Sequence, residues 1–149
     1  MKAIIQRVSE ASVKIDGKIH ASIGIGFLVL LGIHVDDSEN SIPKLAQKIS
    51  NMRIFSDKDG LMNKSLNDVN GDILLVSQFT LYADTKKGNR PSFLEASKAE
   101  TAIPLYEKFI LELEKNLGKK IFTGVFGADM KVGLVNDGPV TIILVDPKE

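Results

Sequence analysis

From Ala11 to Ile23 apolar and polar residues alternate about Asp16-Gly17, the pattern of two half-solvated strands joined by a tight hairpin turn. The run Phe27–Val35 is instead nearly continuously apolar and is bounded by glycine and aspartates. It predicts a strand covered on both faces and central to its sheet. Ile42, Leu45, Ala46, Ile49 and Met52 recur at helical spacing, with Asp36, Asp37 and Ser38 as capping candidates and Pro43 in the first turn. A second stripe, Ala102, Leu105, Tyr106, Phe109, Leu113 and Leu117, predicts a longer helix. Gly118 suits its C-terminal stop, Lys115, Lys119 and Lys120 suit its negative end, and Pro104 is expected in its first turn. Further strands are expected over 72–79, 131–135 and 140–145, the last two joined by Asn136-Asp137-Gly138-Pro139, which by its local chemistry is first of all a hairpin turn. The expected fold is α+β: one domain over residues 1–149, with a layered or curved, mostly antiparallel β-sheet covered by two amphipathic helices.

Composition narrows the classes of function. The 149 residues contain no cysteine, so disulfides, thiolate nucleophiles and cysteine-bound zinc are excluded. The longest apolar stretch, Ile23–Val35, holds three glycines and a histidine and falls short of the roughly 20 residues a spanning helix needs. The opening residues turn polar too early for a secretory signal, and a cytoplasmic protein with no membrane partner is expected. Nineteen basic residues balance nineteen acidic ones, so any contact with nucleic acid has to be local. The compact basic run is Lys86-Lys87-Gly88-Asn89-Arg90, whose plain reading is a solvated loop.

Chemistry is then sought by elimination. His20 belongs to the hairpin and His34 to the end of an apolar strand, without a carboxylate at ligand spacing, so no metal and no cofactor are expected. Asp57-Lys58-Asp59-Gly60 lacks the later ligands of a calcium loop and reads as a turn between short strands. A glycine-rich phosphate loop and a nucleophile elbow are both missing. Two polar clusters remain, each at the end of an apolar strand. In Ser77-Gln78-Phe79-Thr80-Leu81-Tyr82, backbone N–H groups leaving the sheet are placed to receive a developing oxyanion. In Asn136-Asp137-Gly138-Pro139-Val140-Thr141, glycine admits close approach to the backbone, and proline is the residue before which a cis peptide is least costly.

At these residues the chain resembles the D-aminoacyl-tRNA deacylases, homodimeric editing enzymes that remove D-amino acids wrongly esterified to tRNA. The resemblance runs end to end, through Gln6-Arg7-Val8, Ala11-Ser12-Val13, Ser77-Gln78-Phe79-Thr80-Leu81, Arg90-Pro91-Ser92-Phe93, Phe126-Gly127-Ala128-Asp129-Met130 and Asn136 to Thr141. It implies that Gly138-Pro139 is a cis dipeptide projecting into the partner subunit's active site, where it reads chirality, and that Arg7 holds it. It further implies that Ser77, Gln78, Phe79 and Thr80 line the ester carbonyl and that Met130 forms a pocket wall. The expected substrate is a tRNA acceptor end carrying a D-amino acid or glycine, with Lys86, Lys87 and Arg90 as candidate phosphate contacts. Thr80 has no evident base beside it, so the ribose 2′-hydroxyl is the expected activator of water. The competing expectation is a non-catalytic module that binds RNA ends or small amino acids.

Overall fold

The structure, a computed structural model, describes residues 1–146. Strand β1 (Lys2–Ile15) organises the sheet. β2 (Lys18–Ile23) returns antiparallel to its second half through the Asp16-Gly17 turn, and β3 (Gly26–Gly32) lies antiparallel to its first half. A 3₁₀ turn (Glu39–Ser41) leads into α1 (Ile42–Asn51), and the small ribbon β4 (Phe55–Ser56) and β5 (Met62–Lys64) flanks the Asp57–Gly60 turn. β6 (Asp72–Ser77) is parallel to β3, α2 (Ala99–Leu117) crosses back, β7 (Phe122–Thr123) is parallel to β6, and β8 (Lys131–Val145) runs antiparallel along nearly all of β1. Contacts of β2 with β6 and β7 show that this mixed sheet curls toward closure.

Why β3 and β6 lack alternation is now plain, because both faces of the sheet are covered. Phe27, Val29, Leu31, Ile73 and Leu75 face the helices, packed with Leu45, Ile49, Phe109 and Leu113. Leu28, Leu74 and Val76 face the inside of the curl with Val8, Val13 and Ile23. Successive side chains of one strand thus enter two separate cores. Each large side chain fully withdrawn from water contributes about 1.5–3 kcal/mol before the entropy of ordering it is set against the gain. Both helical stripes are buried as their spacing predicts, and Gly118 ends α2 in the left-handed conformation at φ 71°.

Three local expectations need correction. Asn136–Pro139 is not a hairpin: 131–145 is one strand whose two halves both pair with β1, and the register shifts at Gln6/Val8 and Val8/Glu10 absorb the extra residues as a bulge. Pro104 is the sixth residue of α2 rather than part of its first turn, and its missing N–H falls on the exposed side of the helix, where water can serve the freed carbonyl. Asp36–Ser38 do not cap α1, because the 3₁₀ turn intervenes. Asp37 instead accepts from the ammonium of Met1 and the N–H of His34, both at 2.7 Å, and from the Ser41 hydroxyl at 3.3 Å. Among the described residues no helix is long and apolar enough to cross a membrane.

Candidate active site

β6 and β3 stop together, and the chain beyond them opens a cavity of about 340 Å³. Leu31, Val76, Ser77, Gln78 and Phe79 form one side, while Phe126 to Met130 form the other. The backbone turns sharply at this point. Gln78 N–H still donates to Leu31 O at 2.8 Å, continuing the sheet, and Phe79–Tyr82 then form a 3₁₀ turn. The first hydrogen bond of that turn is Leu81 N–H to Gln78 O, so the N–H groups of Phe79 and Thr80 precede it and have no partner within the turn. Two amide donors therefore sit side by side where the sheet ends.

Thr80 itself is exposed and is not among the cavity's lining residues. Its hydroxyl oxygen accepts from the side-chain amide of Gln78 at 2.5 Å. An amide donor withdraws electron density from that oxygen, the opposite of what a general base does for a nucleophile. The two histidines are elsewhere. His34 accepts the Asp36 N–H at 3.1 Å and packs edge-on against Tyr82, and His20 is exposed on β2. Among the described residues no three His, Asp or Glu side chains gather into a group able to hold a metal ion.

The outer lip of the cavity is aromatic. Phe79 is 55% exposed and meets Phe93 edge to face at 5.1 Å. Phe93 directly follows the loop that carries Lys86, Lys87 and Arg90, and paired hydrogen bonds between Asp84 and Ser92 close the base of that loop. The three cations are exposed, and among the described residues they form no ion pair. Sequence reading did not connect this loop to the cavity, because the link is one ring contact between segments fourteen positions apart (79 to 93).

Behind the cavity α2 fixes the far wall. Tyr106 donates to Leu75 O at 3.2 Å and packs against Phe126. Burial pushes its phenol up to about 12, so the hydroxyl stays a donor at any working pH. The helical stripe marked Tyr106 as core, and nothing in its spacing distinguished it as a support for the site.

The second polar cluster lies apart from the cavity. Asn136 brackets the β8 bulge, its Oδ1 accepting Val140 N–H at 2.7 Å and its Nδ2 donating to Val140 O and Thr141 Oγ1 at 3.2 Å each. Between these anchors the Gly138–Pro139 peptide is cis, and both residues are exposed. A side chain at Gly138 would meet the Val140 nitrogen at 2.4 Å. Arg7 binds the bulge from below, donating from Nε to Asp137 O and from Nη1 to Ile54 O, each at 2.6 Å. Ser77, Gln78, Phe79 and Met130 are thus brought together, and Arg7, Gly138 and Pro139 are brought together, but the second group is not part of the lining of the cavity formed by the first.

Residues 4–145 match the family model described as D-Tyr-tRNA(Tyr) deacylase. A D-aminoacyl-tRNA deacylase of Flavobacterium psychrophilum is 61% identical over 144 residues, which is 97% of this chain and 96% of that one. Among solved structures, a c-Myc DNA unwinding element binding protein superposes with a TM-score of 0.92 at 43% identity over 99% of both chains. A probable eukaryotic D-amino acid tRNA deacylase shares the fold, with a TM-score of 0.83 at 16% identity over 96% of this chain and 97% of that one. A match of this extent, running through the strand end and the loop that line the cavity, places the protein in the D-Tyr-tRNA(Tyr) deacylase family, as a D-aminoacyl-tRNA deacylase.

Proposed function

We propose that this chain, acting in the cytoplasm, hydrolyses the ester of D-aminoacyl-tRNA and of glycyl-tRNA and spares L-aminoacyl-tRNA. The observation that carries the reading is the turn at Phe79, a residue of the cavity wall beside Ser77, Gln78 and Met130, where the N–H groups of Phe79 and Thr80 precede the first hydrogen bond of the 3₁₀ turn. Water attacks the ester carbonyl, the resulting oxyanion is held by those N–H groups, and the ribose oxygen of the tRNA leaves. The ester is already activated, so no side-chain nucleophile is required. The ribose 2′-hydroxyl beside the ester is the group placed to help activate water.

Chirality is read in this proposal by main chain. A D- and an L-residue differ in which side of Cα bears the side chain, so a rigid wall in van der Waals contact with Cα admits one and excludes the other. Glycine has nothing to exclude and passes. Gly138-Pro139, steadied by Arg7 through Asp137 O, supplies that wall to a second copy of the chain. The dimer is supported by the exposure of large apolar residues along β8, among them Val135 and Ile143 at 48% and 63%, more than a lone chain is expected to leave in water.

The direct test presents D-tyrosyl-, L-tyrosyl- and glycyl-tRNA and follows the release of free tRNA. Release from the first and third alone is expected. Binding without release from any of them would make the protein a non-catalytic module instead. In this reading Lys86, Lys87 and Arg90 contact acceptor-end phosphates. Neutralising all three should weaken binding of every tRNA alike and reduce the slope of log affinity against log salt by up to about 2–3. An unchanged slope would return them to the role of a solvated loop.

A further inference from the structure

The wall opposite β6 rests on a position with no side chain. Gly124 lies one residue beyond β7, and its N–H donates to Leu75 O at 3.0 Å, the same carbonyl that accepts the Tyr106 hydroxyl. A Cβ built on Gly124 would lie 2.4 Å from Met130 Sδ, 3.6 Å from Met130 Cε and 3.8 Å from Val76 Cγ2. Both Met130 and Val76 line the cavity. No left-handed backbone conformation calls for glycine here. What calls for it is the sulfur, which occupies the space a side chain would take.

We infer that Gly124 is a positioning residue for the deacylase site: it forms the seat that keeps the Met130 thioether withdrawn and so sets the width of the cavity that receives the charged end of tRNA. The inference rests on the assignment of this cavity as the substrate site. Met130 directly precedes Lys131, whose pairing with Lys14 anchors the start of β8, and the atoms that meet the added Cβ are the far end of its flexible side chain. With a methyl group at 124 the thioether must leave its seat, and the cavity it lines is the open space beside it. The backbone need not shift, so the change narrows the site without unfolding the protein.

The experiment measures steady-state hydrolysis of D-tyrosyl-tRNA and thermal unfolding for wild type, Gly124→Ala, Met130→Val and the double variant. Gly124→Ala is expected to raise KM about tenfold, the scale of one misplaced methyl group in an apolar pocket, with kcat changed far less. The double variant adds a methyl at 124 and shortens the side chain at 130, conserving volume, and should return KM to within about threefold of wild type. A general structural defect would not be rescued in this way. An unchanged KM in Gly124→Ala, or a double variant no better than the single one, overturns the inference. Should Gly124→Ala fail to fold, a folded double variant with near-native KM supports the seat, and an unfolded one refutes it. A wild-type protein inert toward D-tyrosyl-tRNA would instead refute the assignment of the substrate site, so the two failures are distinct.

Discussion

A D-aminoacyl-tRNA whose terminal ribose lacks the 2′-hydroxyl is expected to be hydrolysed about a hundredfold or more slowly, the usual scale for losing a group that activates water. Thr80→Ala, by contrast, should keep turnover within about threefold of wild type, because the hydroxyl it removes is held as the acceptor of a hydrogen bond from Gln78, a donor and not a base. The main-chain N–H of residue 80 survives the substitution, so the donor pair is retained. The measurement is single-turnover release of free tRNA, which separates chemistry from product release. If Thr80→Ala abolished release while the deoxy substrate reacted normally, the ranking would be reversed and Thr80 would become the nucleophile.

Gly26→Ala is expected to cause a large loss of stability for the addition of one methyl group, about 4 kcal/mol, or roughly 8–16 °C in Tm at this chain length. Gly26 opens β3 opposite Asp72, and a Cβ there would stand 1.8 Å from the Asp72 carbonyl oxygen and 2.8 Å from its carbonyl carbon and amide nitrogen. These are main-chain atoms, so relief requires the parallel β3–β6 pair to part. That pair supplies residues to both hydrophobic cores and ends at the cavity. Gly24→Ala is the control, because its Cβ would meet only the Ser9 carbonyl oxygen at 4.0 Å. Thermal unfolding followed by circular dichroism reads both. A Tm for Gly26→Ala close to that of Gly24→Ala would show that the sheet yields where its packing says it does not.

Much of the architecture was legible because periodicity records burial. The stripes beginning at Ile42 and Ala102 became α1 and α2, and the unbroken apolar run from Phe27 became the doubly covered β3. The mistaken hairpin at Asn136–Pro139 has a definite cause. Asn, Asp, Gly and Pro favour any departure from regular pairing, whether the chain reverses or merely bulges. The choice was made by β1, whose fourteen residues are long enough to pair with both halves of β8. The start of α2 was misplaced for a related reason: Ala99 to Thr101 precede the first buried residue of the stripe and carry no burial signal.

The site divides along the same line. That Ser77–Thr80 ends a buried strand, and that Arg7 and Gly138-Pro139 deserve notice, follows from local chemistry and resemblance alone. That Met130 takes the space left open at Gly124, that Phe93 brings a cationic loop to Phe79, and that Tyr106 supports the far wall could be decided only by the folded chain. Periodicity and turn chemistry report what each segment hides from water or how it bends, and they act over a few residues. Which hidden surfaces meet, and at what register, depends on shape complementarity between distant segments, and that comes into being only when the sheet has curled and the helices have closed over it.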